Sequence, residues 1–229
     1  QDSVQLKQYG QDNALLVPMS DPFKMWNQIE QILPTVEMIY FAGGEPLVME
    51  EHYRILRWLL NHGRTDVALL YNTNFTTVKF KDNDVFEMWS KFSNVTVGAS
   101  LDLTNASAEY ARHGTKWADI VANRKEMIAR CPTTKFYVAF TLSVFNFMTM
   151  VDFHKEWTEL GLINPNDWNI NPLTFPLHYR PDITPVEARQ QIQQQYEDYL
   201  QNLKDRYNIN KTSVARWESA IRFLDGPQH

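Results

Sequence analysis

The chain has 229 residues, 44% of them hydrophobic, which is enough for one domain with a sizeable core. Aromatic residues make up 13% of the sequence and argue for a packed globule rather than a disordered chain. The net charge is −5, no basic run stands out, and no stretch approaches the roughly 18 apolar residues of a membrane span. We therefore expect neither a nucleic acid nor a membrane as a partner.

The single cysteine, Cys131, excludes a disulfide framework and predicts a reducing location, the cytoplasm. One thiol is also too few for an iron–sulfur cluster, which takes several thiolates. The six histidines are scattered along the chain, and the metal patterns HExxH and paired CxxC are absent, so no metal site is predicted. The hydrolase pattern GxSxG is absent as well.

Helices and strands are predicted to alternate after a polar, aperiodic N-terminal arm of residues 1–20. The run Ser20-Asp21-Pro22 predicts a helix start, because a capping side chain precedes a proline that the first turn tolerates. Apolar periodicity then predicts the following elements in chain order: helix 22–33, strand 38–42, helix 49–62, strand 67–72, a polar loop 73–83, helix 84–92, strand 95–101, helices 105–112 and 115–130, strand 136–144, helix 149–160, strand 167–172, and helices 186–206 and 212–224.

Five strands that alternate with helices predict an α/β fold with a mainly parallel sheet. The order favours a partial barrel of the (β/α)6 type, with parallel strands inside and helices outside, rather than separate domains. We predict an N-terminal arm at 1–20, the partial barrel at 21–185 and C-terminal helices at 186–229. Those last helices are expected to pack against the open side of the barrel or to begin a second unit.

The run Gly43-Gly44-Glu45-Pro46 directly follows the first predicted strand. Ligands of α/β proteins are bound at the carboxyl ends of parallel strands. Paired glycines let a ligand reach main-chain N–H and C=O groups, while Pro46 fixes the turn and keeps Glu45 out of helical geometry. This turn is therefore the first candidate for a binding site.

The other strand ends carry mostly neutral hydrogen-bonding groups, which suit a polar small molecule with hydroxyl, amino and carboxylate groups. They do not form a hydrolytic centre by themselves. In strand order they include Asn72, Thr73 and Asn74, then Ser100 and Asp102, then Thr141, Ser143 and Asn146, and finally Asn169 and Asn171.

These strand ends, taken together, resemble the core of the radical S-adenosylmethionine (SAM) enzymes. The resemblance rests on GGEP after one strand, Asn-Thr-Asn after the next and Ser-Leu-Asp after the third. Arg112 and Gly114, which follow Ser-Leu-Asp, are similar to the corresponding region of the SPASM/twitch subgroup. The resemblance covers about residues 22–175 and implies SAM as the cofactor.

By this resemblance Gly43, Gly44 and Glu45 would face the methionine amino group of SAM, and Asn74 and Ser100 would lie near its ribose or carboxylate. Arg112 would pair with the carboxylate through a charge-assisted contact. No catalytic residue is assigned. The full set expected at the cofactor site is Gly43, Gly44, Glu45, Pro46, Asn72, Asn74, Ser100, Asp102, Arg112 and Asn171.

The sequence departs from the family at the iron–sulfur cluster. The family's CxxxCxxC motif lies upstream of GGEP, whereas nothing upstream of Gly43 in this chain contains cysteine. A strand before the first helix is missing too. We therefore expect a fragment whose first strand and cluster loop would precede Gln1, with the [4Fe–4S] cluster present only in the intact parent.

The leading hypothesis is the core of a radical SAM oxidoreductase, inactive alone, whose parent would cleave SAM to a radical that abstracts hydrogen from a small-molecule or peptide substrate. One alternative is a non-catalytic module that binds a nucleotide-like ligand at the same carboxyl ends of the strands, which we call the rim. The other is an unrelated barrel enzyme. Structural alternatives also stay open for the site residues: a ligand-free turn for GGEP, local capping for Asn72, Asn74 and Asp102, and a solvated helix position for Arg112.

Overall fold

The computed structural model describes residues 22–225, so the arm predicted at 1–20 and the capping pair Ser20-Asp21 lie outside the described residues. The chain divides into two units, residues 1–36 and 37–229. In the first unit, helix α1 spans Pro22–Ile32, as the apolar spacing predicts. The turn after α1 is closed by Thr35, whose backbone N–H and hydroxyl both donate to the carbonyl of Ile32.

The second unit is built on a five-stranded parallel sheet. Its strands, and those of a separate two-stranded hairpin, are β1 (Met38–Phe41), β2 (Ala68–Thr73), β3 (Lys79–Phe80), β4 (Asn83–Asp84), β5 (Val95–Ala99), β6 (Lys135–Leu142) and β7 (Trp168–Pro172). The large sheet has the order β1-β2-β5-β6-β7, and every neighbouring pair is parallel. The predicted α/β fold with parallel strands in chain order is confirmed.

Helices connect the strands of the large sheet, and each crossover returns the chain to the start of the next strand. The connecting helices are α2 (Glu50–Asn61), α3 (Val85–Trp89), α4 (Asn105–Ala111), α5 (Trp117–Arg130) and α6 (Met150–Glu159). Helices α7 (Val186–Arg206) and α8 (Lys211–Leu224) follow β7, and short 3₁₀ turns lie at Pro46–Val48, Leu177–Tyr179 and Pro181–Ile183. None of the helices within residues 22–225 is both long and apolar enough to cross a membrane.

One face of the sheet, the covered face, packs against helices. Tyr71 of β2 lies against Trp89 of α3, with ring centroids 4.9 Å apart. Phe140 of β6 and Trp168 of β7 both contact Phe153 of α6, at 6.4 and 4.9 Å. Burial of these large aromatic side chains stabilises the unit, because each removes much apolar surface from water.

The other face, the open face, is formed by the alternate residues of each strand. Tyr40 and Met38 on it are 57% and 58% exposed, whereas Leu69 and Tyr71 on the covered face are at most 1% exposed. The residues on the open face include Met38, Tyr40, Leu70, Asn72, Thr96, Gly98, Tyr137, Ala139, Asn169 and Asn171.

The last two helices join this unit beside β7. His154 of α6 lies between Tyr199 of α7 and Trp217 of α8, with ring centroids 5.6 and 5.4 Å away. Arg216 of α8 donates to the carbonyl of Trp168 in β7. These contacts pack α7 and α8 against α6 and the edge strand; the proposed domain boundary at residue 186 stays a prediction.

The prediction of a continuous polar loop at 73–83 is wrong, because β3 and β4 form an antiparallel hairpin at its end. Two-residue strands are too short to leave a periodic pattern. Asp84 ends the hairpin and caps α3, accepting from the backbone N–H groups of Phe86 and Glu87. The predicted helix at 84–92 is also shorter, since α3 ends at Trp89.

Candidate functional site

The GGEP turn exposes bare backbone at the carboxyl end of β1. Gly43 and Gly44 have positive φ angles of 85° and 56°, a conformation that side-chain-bearing residues seldom adopt. A Cβ atom built on either glycine would meet no heavy atom within 4 Å. The space beside this backbone is therefore open to a ligand, and the glycines are required by conformation rather than by internal packing.

Glu45 joins the carboxyl end of β1 to the carboxyl end of β2 through hydrogen bonds. Its carboxylate accepts from the Thr73 hydroxyl at 2.6 Å and from the backbone N–H of Asn74 at 2.7 Å. It also accepts from the backbone N–H of Leu47 at 3.2 Å and so caps the following 3₁₀ turn. Such charge-assisted bonds are among the stronger hydrogen bonds of proteins, so Glu45 holds the glycine turn in place.

The two candidate asparagines after β2 differ in their contacts. Asn74 accepts from both the backbone N–H and the hydroxyl of Thr76, which is the local capping considered as its alternative role. Asn72 instead lies on the open face and donates to the Tyr40 hydroxyl at 2.6 Å. Ser100 donates its backbone N–H to the Thr73 carbonyl and continues the pairing of β5 with β2.

Asp102 links the ends of β5 and β6. Its carboxylate accepts from the backbone N–H of Thr141 at 2.8 Å and from Arg112 at 2.6 Å. Asn146 completes the link by donating to the carbonyls of Asp102 and Thr141. Asp102 is therefore not the N-cap of α4, a position that Thr104 occupies.

Arg112 directs a positive charge to this rim. Its Nη2 atom donates to Asp102, and the side chain remains 39% exposed. A guanidinium carries five N–H donors in a planar fork, so one bond to Asp102 leaves others for a carboxylate or phosphate. Asp102 thus orients Arg112, whose exposed edge is available to an anion.

These residues border a cavity of about 240 Å³ at the carboxyl ends of β5 and β6. Of the ten predicted site residues, Asn74, Asp102 and Arg112 line it, whereas Gly43, Gly44, Glu45, Pro46, Asn72, Ser100 and Asn171 do not. Asn171 is exposed on the open face of β7. Pro46 is buried as the first residue of the 3₁₀ turn after β1.

Sequence reasoning missed the apolar walls of this cavity. Trp117 and Ile120 come from α5, while Phe145 and Tyr179 come from the segments after β6 and β7. The Tyr179 carbonyl accepts from the backbone N–H of Val144, which fixes that segment beside β6. No local pattern marks these residues, because only the packing of distant segments brings them to one place.

The residues of this chain do not suit an iron–sulfur cluster. Cys131, the only thiol of the chain, is 3% exposed at the end of α5. Its Sγ donates to the Phe86 carbonyl, and burial raises its pKa, which disfavours the thiolate that a cluster requires. Within residues 22–225, no three His, Cys, Asp or Glu side chains are grouped as metal ligands.

No protein-family model and no curated protein matches the sequence. The fold is similar to the solved structure of native anSMEcpe with bound AdoMet, that is SAM, and the Cp18Cys peptide, at a TM-score of 0.53 and 14% identity over 80% of this chain and 54% of that chain. Native anSMEcpe with bound AdoMet gives a TM-score of 0.51 at 14% identity over 80% and 53% of the two chains. The histidine-tagged form with bound AdoMet gives 0.52 at 13% identity over 80% and 51%.

The chain thus spans about half the length of the structures that it matches. At this level of identity the likeness establishes the fold alone. The α/β architecture with five parallel strands is shared with anSMEcpe.

Proposed function

We propose that this chain is the SAM-binding core of a radical SAM oxidoreductase. The observation that carries the proposal is the open glycine turn of Gly43 and Gly44 at the end of β1, in a fold shared with AdoMet-bound structures. The protein in those structures, anSMEcpe, has AdoMet bound. The motif resemblance and the AdoMet bound in structures of similar fold both favour SAM as the ligand.

In this proposal the main chain of Gly43 and Gly44 receives the methionine amino group, whose N–H donors suit backbone carbonyl acceptors. Glu45 holds that turn against β2 and does not contact SAM directly. Arg112, oriented by Asp102, pairs with the carboxylate of SAM. The site residues proposed from the sequence are thereby divided into those that bind SAM and those that position the binders.

The cavity at the ends of β5 and β6 would take only part of SAM. Its volume of about 240 Å³ is below the roughly 300–1,000 Å³ of pockets that enclose drug-sized ligands. Trp117 and Ile120 on its wall offer apolar surface, while the carboxamide nitrogen of Asn74 offers hydrogen-bond donors. We place the nucleoside part of SAM there, with the methionine carboxylate at Arg112 on the border of the cavity and the amino group on the side toward Gly44.

In an intact radical SAM enzyme, reductive cleavage of SAM supplies a radical that abstracts hydrogen from the substrate. Because this chain offers a single buried thiol, we propose that it binds SAM without cleaving it when present alone. The Cp18Cys peptide bound to anSMEcpe favours a peptide as the substrate of the intact enzyme, with a small molecule as the alternative.

The second candidate is a non-catalytic module that binds a nucleotide-like ligand at the same rim, and the lack of cluster ligands in this chain favours it. The two are distinguished by selectivity. A SAM site prefers SAM and S-adenosylhomocysteine over ATP, because the amino and carboxylate groups of methionine make the contacts at Gly44 and Arg112. A general nucleotide module would bind ATP as well as SAM.

Calorimetric titration with SAM tests the proposal by comparing alanine substitutions at two glycines of similar backbone conformation. Gly44 and Gly63 have φ angles of 56° and 69°, and a Cβ atom on either meets nothing within 4 Å. Each change to alanine should cost about 1–2 kcal/mol of stability through backbone strain. Gly63 follows α2 and precedes β2, at the amino end of that strand and not at its carboxyl end.

We expect millimolar affinity for SAM, because the cluster that anchors the methionine part is absent. A thousandfold loss from micromolar affinity corresponds to about 4 kcal/mol. Gly44→Ala should remove the remaining binding, whereas Gly63→Ala should retain it. SAM binding that survives Gly44→Ala, or that both variants weaken equally, would show that the glycine turn is not the site.

A further inference from the structure

A second cavity, of about 380 Å³, lies on the open face at the amino ends of the strands. Thr96, Lys135 and Asn169 contribute to its lining, and each is the first or second residue of its strand. Tyr137 of β6 and Arg216 of α8 also border the cavity. Because the strands of the large sheet are parallel, this space, which we call the amino-end cavity, lies at the ends opposite the rim.

Two cations on this lining have no acidic partner. Arg216 donates from Nη1 to the carbonyl of Trp168 at 3.2 Å, which uses one of the five N–H donors of its guanidinium. Lys135 is exposed. Neither side chain forms an ion pair with a residue of the described range 22–225. Both cations are therefore available to an anionic ligand.

Asp167, an acidic residue on the same lining, is matched from within the protein. Its carboxylate accepts from the backbone N–H of Asn164 at 3.4 Å and interacts with the charge of Arg124. The guanidinium of Arg124 lies 4.1 Å from the centroid of the Phe136 ring, which is buried on the covered face. Asp167 thus has its own cation and does not neutralise the two cations of the amino-end cavity.

The segment before β7 holds Arg216 in place. Asn166 accepts from the backbone N–H of Asn210 at 2.8 Å and donates to the carbonyl of Asn208 at 3.1 Å. Asn210 in turn caps α8 by accepting from the backbone N–H of Ser213 at 2.8 Å. The start of α8 is thereby joined to the sheet, so Arg216 borders the cavity before a ligand arrives, which lowers the entropic cost of binding.

Neutral side chains complete the lining. Within the part of the chain that the structure describes, the side chains of Thr96 and Asn169 form no hydrogen bond with another residue. A Cβ atom at Gly98 would lie only 2.5 Å from the Tyr137 hydroxyl oxygen, so Gly98 leaves the space for Tyr137 to extend over β5. The cavity therefore combines aromatic surface with free hydroxyl and amide groups.

These groups favour a phosphate over a carboxylate. A phosphate monoester carries a charge of about −1.5 to −2 at pH 7, which suits two cations, whereas a carboxylate carries one charge. The planar fork of Arg216 also matches the oxygens of a phosphate. The cavity of about 380 Å³ falls within the roughly 300–1,000 Å³ of small-molecule sites, so it has room for more than the phosphate itself.

We propose that the amino-end cavity binds a small phosphate monoester with a hydroxylated body, the chemistry of a sugar phosphate. The phosphate lies at Arg216 and Lys135. The body packs on the ring of Tyr137 and bonds to Thr96 and Asn169 through its hydroxyls. This site goes beyond the proposed function, because SAM is placed at the opposite ends of the strands.

The test is an NMR titration of the full chain at low ionic strength with glucose 6-phosphate. We expect a millimolar dissociation constant and shifts of the backbone amides of residues 96, 135, 137, 169 and 216. Three comparison ligands separate the parts of the probe: glucose lacks the anion, inorganic phosphate lacks the body, and gluconate carries a carboxylate instead. Glucose should not bind, and the other two should bind at least about five-fold more weakly, because each loses a charge or its hydrogen bonds.

Two substitutions test the cations. Arg216→Gln should weaken glucose 6-phosphate binding about ten-fold, because it removes charge-assisted bonds. Lys135→Gln should weaken it about three-fold, since an exposed ammonium contributes less. The matched controls are Arg222→Gln, on the same helix as Arg216, and Lys125→Gln on α5; both residues are exposed and neither borders the cavity. The two control proteins should bind as the unchanged protein does.

Four results would overturn the inference. They are no binding of glucose 6-phosphate, shifts centred on Asp102 and Arg112 instead of the amino-end cavity, binding of inorganic phosphate or gluconate as tight as that of the probe, and an affinity that Arg216→Gln leaves unchanged. If Arg216→Gln does not fold, as circular dichroism would show, an affinity unchanged by Lys135→Gln decides instead.

Discussion

His154 makes the stability of this protein depend on pH. It is fully buried in α6, and its two ring nitrogens contact the Tyr199 hydroxyl at 2.8 Å and the Pro165 carbonyl at 3.2 Å. A carbonyl only accepts, so Nε2 donates to Pro165 and Nδ1 accepts from Tyr199. The neutral ring therefore satisfies both neighbours, whereas a second proton on Nδ1 would reverse the bond to Tyr199 and place a positive charge in a buried site.

Burial lowers the pKa of His154 from its ordinary 6.5 to about 4. The unfolded chain therefore binds a proton more readily than the folded protein. The stabilising contribution is complete above pH 6.5, is lost as the pH falls from 6.5 to 4, and changes no further below pH 4. At pH 5 the loss amounts to about 2 kcal/mol.

The assay is urea unfolding at pH 7.5 and pH 5, with His154→Gln as the comparison. Glutamine can donate to Pro165 and accept from Tyr199 but does not titrate in this range. His52, whose pKa burial lowers to about 3, adds a similar loss to both proteins, so the difference between them isolates His154. We expect the loss of unfolding free energy between the two pH values to be smaller by about 2 kcal/mol in His154→Gln. An equal loss in both proteins would refute this reasoning.

Three further results are expected. Glu45→Gln should lower the free energy of unfolding by about 1–3 kcal/mol, measured by urea titration. An amide has only one accepting oxygen where the carboxylate has two, so the hydrogen bond from the backbone N–H of Asn74 is disturbed. An unchanged value would contradict the role of Glu45 in joining β1 to β2. Asp102→Asn should weaken SAM binding several-fold in calorimetry, because Arg112 loses its charged orienting partner. Unaltered affinity would show that Asp102 does not orient Arg112 for SAM. Anaerobic reconstitution with iron and sulfide should give no iron–sulfur absorption on this chain, since Cys131 is its only thiol; a stable stoichiometric cluster would overturn that prediction.

The fold could be predicted in large part because its signals are local. Apolar runs such as Met38 to Ala42 and Phe136 to Val144, separated by helical periodicity, predict parallel strands in chain order, and the sheet has that order. Helices α7 and α8 also lie at nearly their predicted positions. The β3–β4 hairpin was not predicted, because a strand of two residues is too short to show an alternating apolar pattern.

The candidate site could be predicted only at the level of which strand ends carry polar groups. The bond from Thr141 to Asp102 joins residues 39 positions apart, and nothing near Asp102 in the sequence indicates it. Trp117 and Tyr179 reach the cavity from α5 and from the segment after β7. Their meeting is set by how the helices pack, which no local pattern encodes.

The sequence by itself determined the parallel α/β architecture and the position of the glycine turn, because periodicity and the conformational freedom of Gly43 and Gly44 are properties of neighbouring residues. Only the tertiary structure decided that Asp102 orients Arg112 and that Gly98 leaves space for Tyr137 beside Asn72. Those relations depend on the register between strands, which places residues far apart in the chain on one line of the sheet.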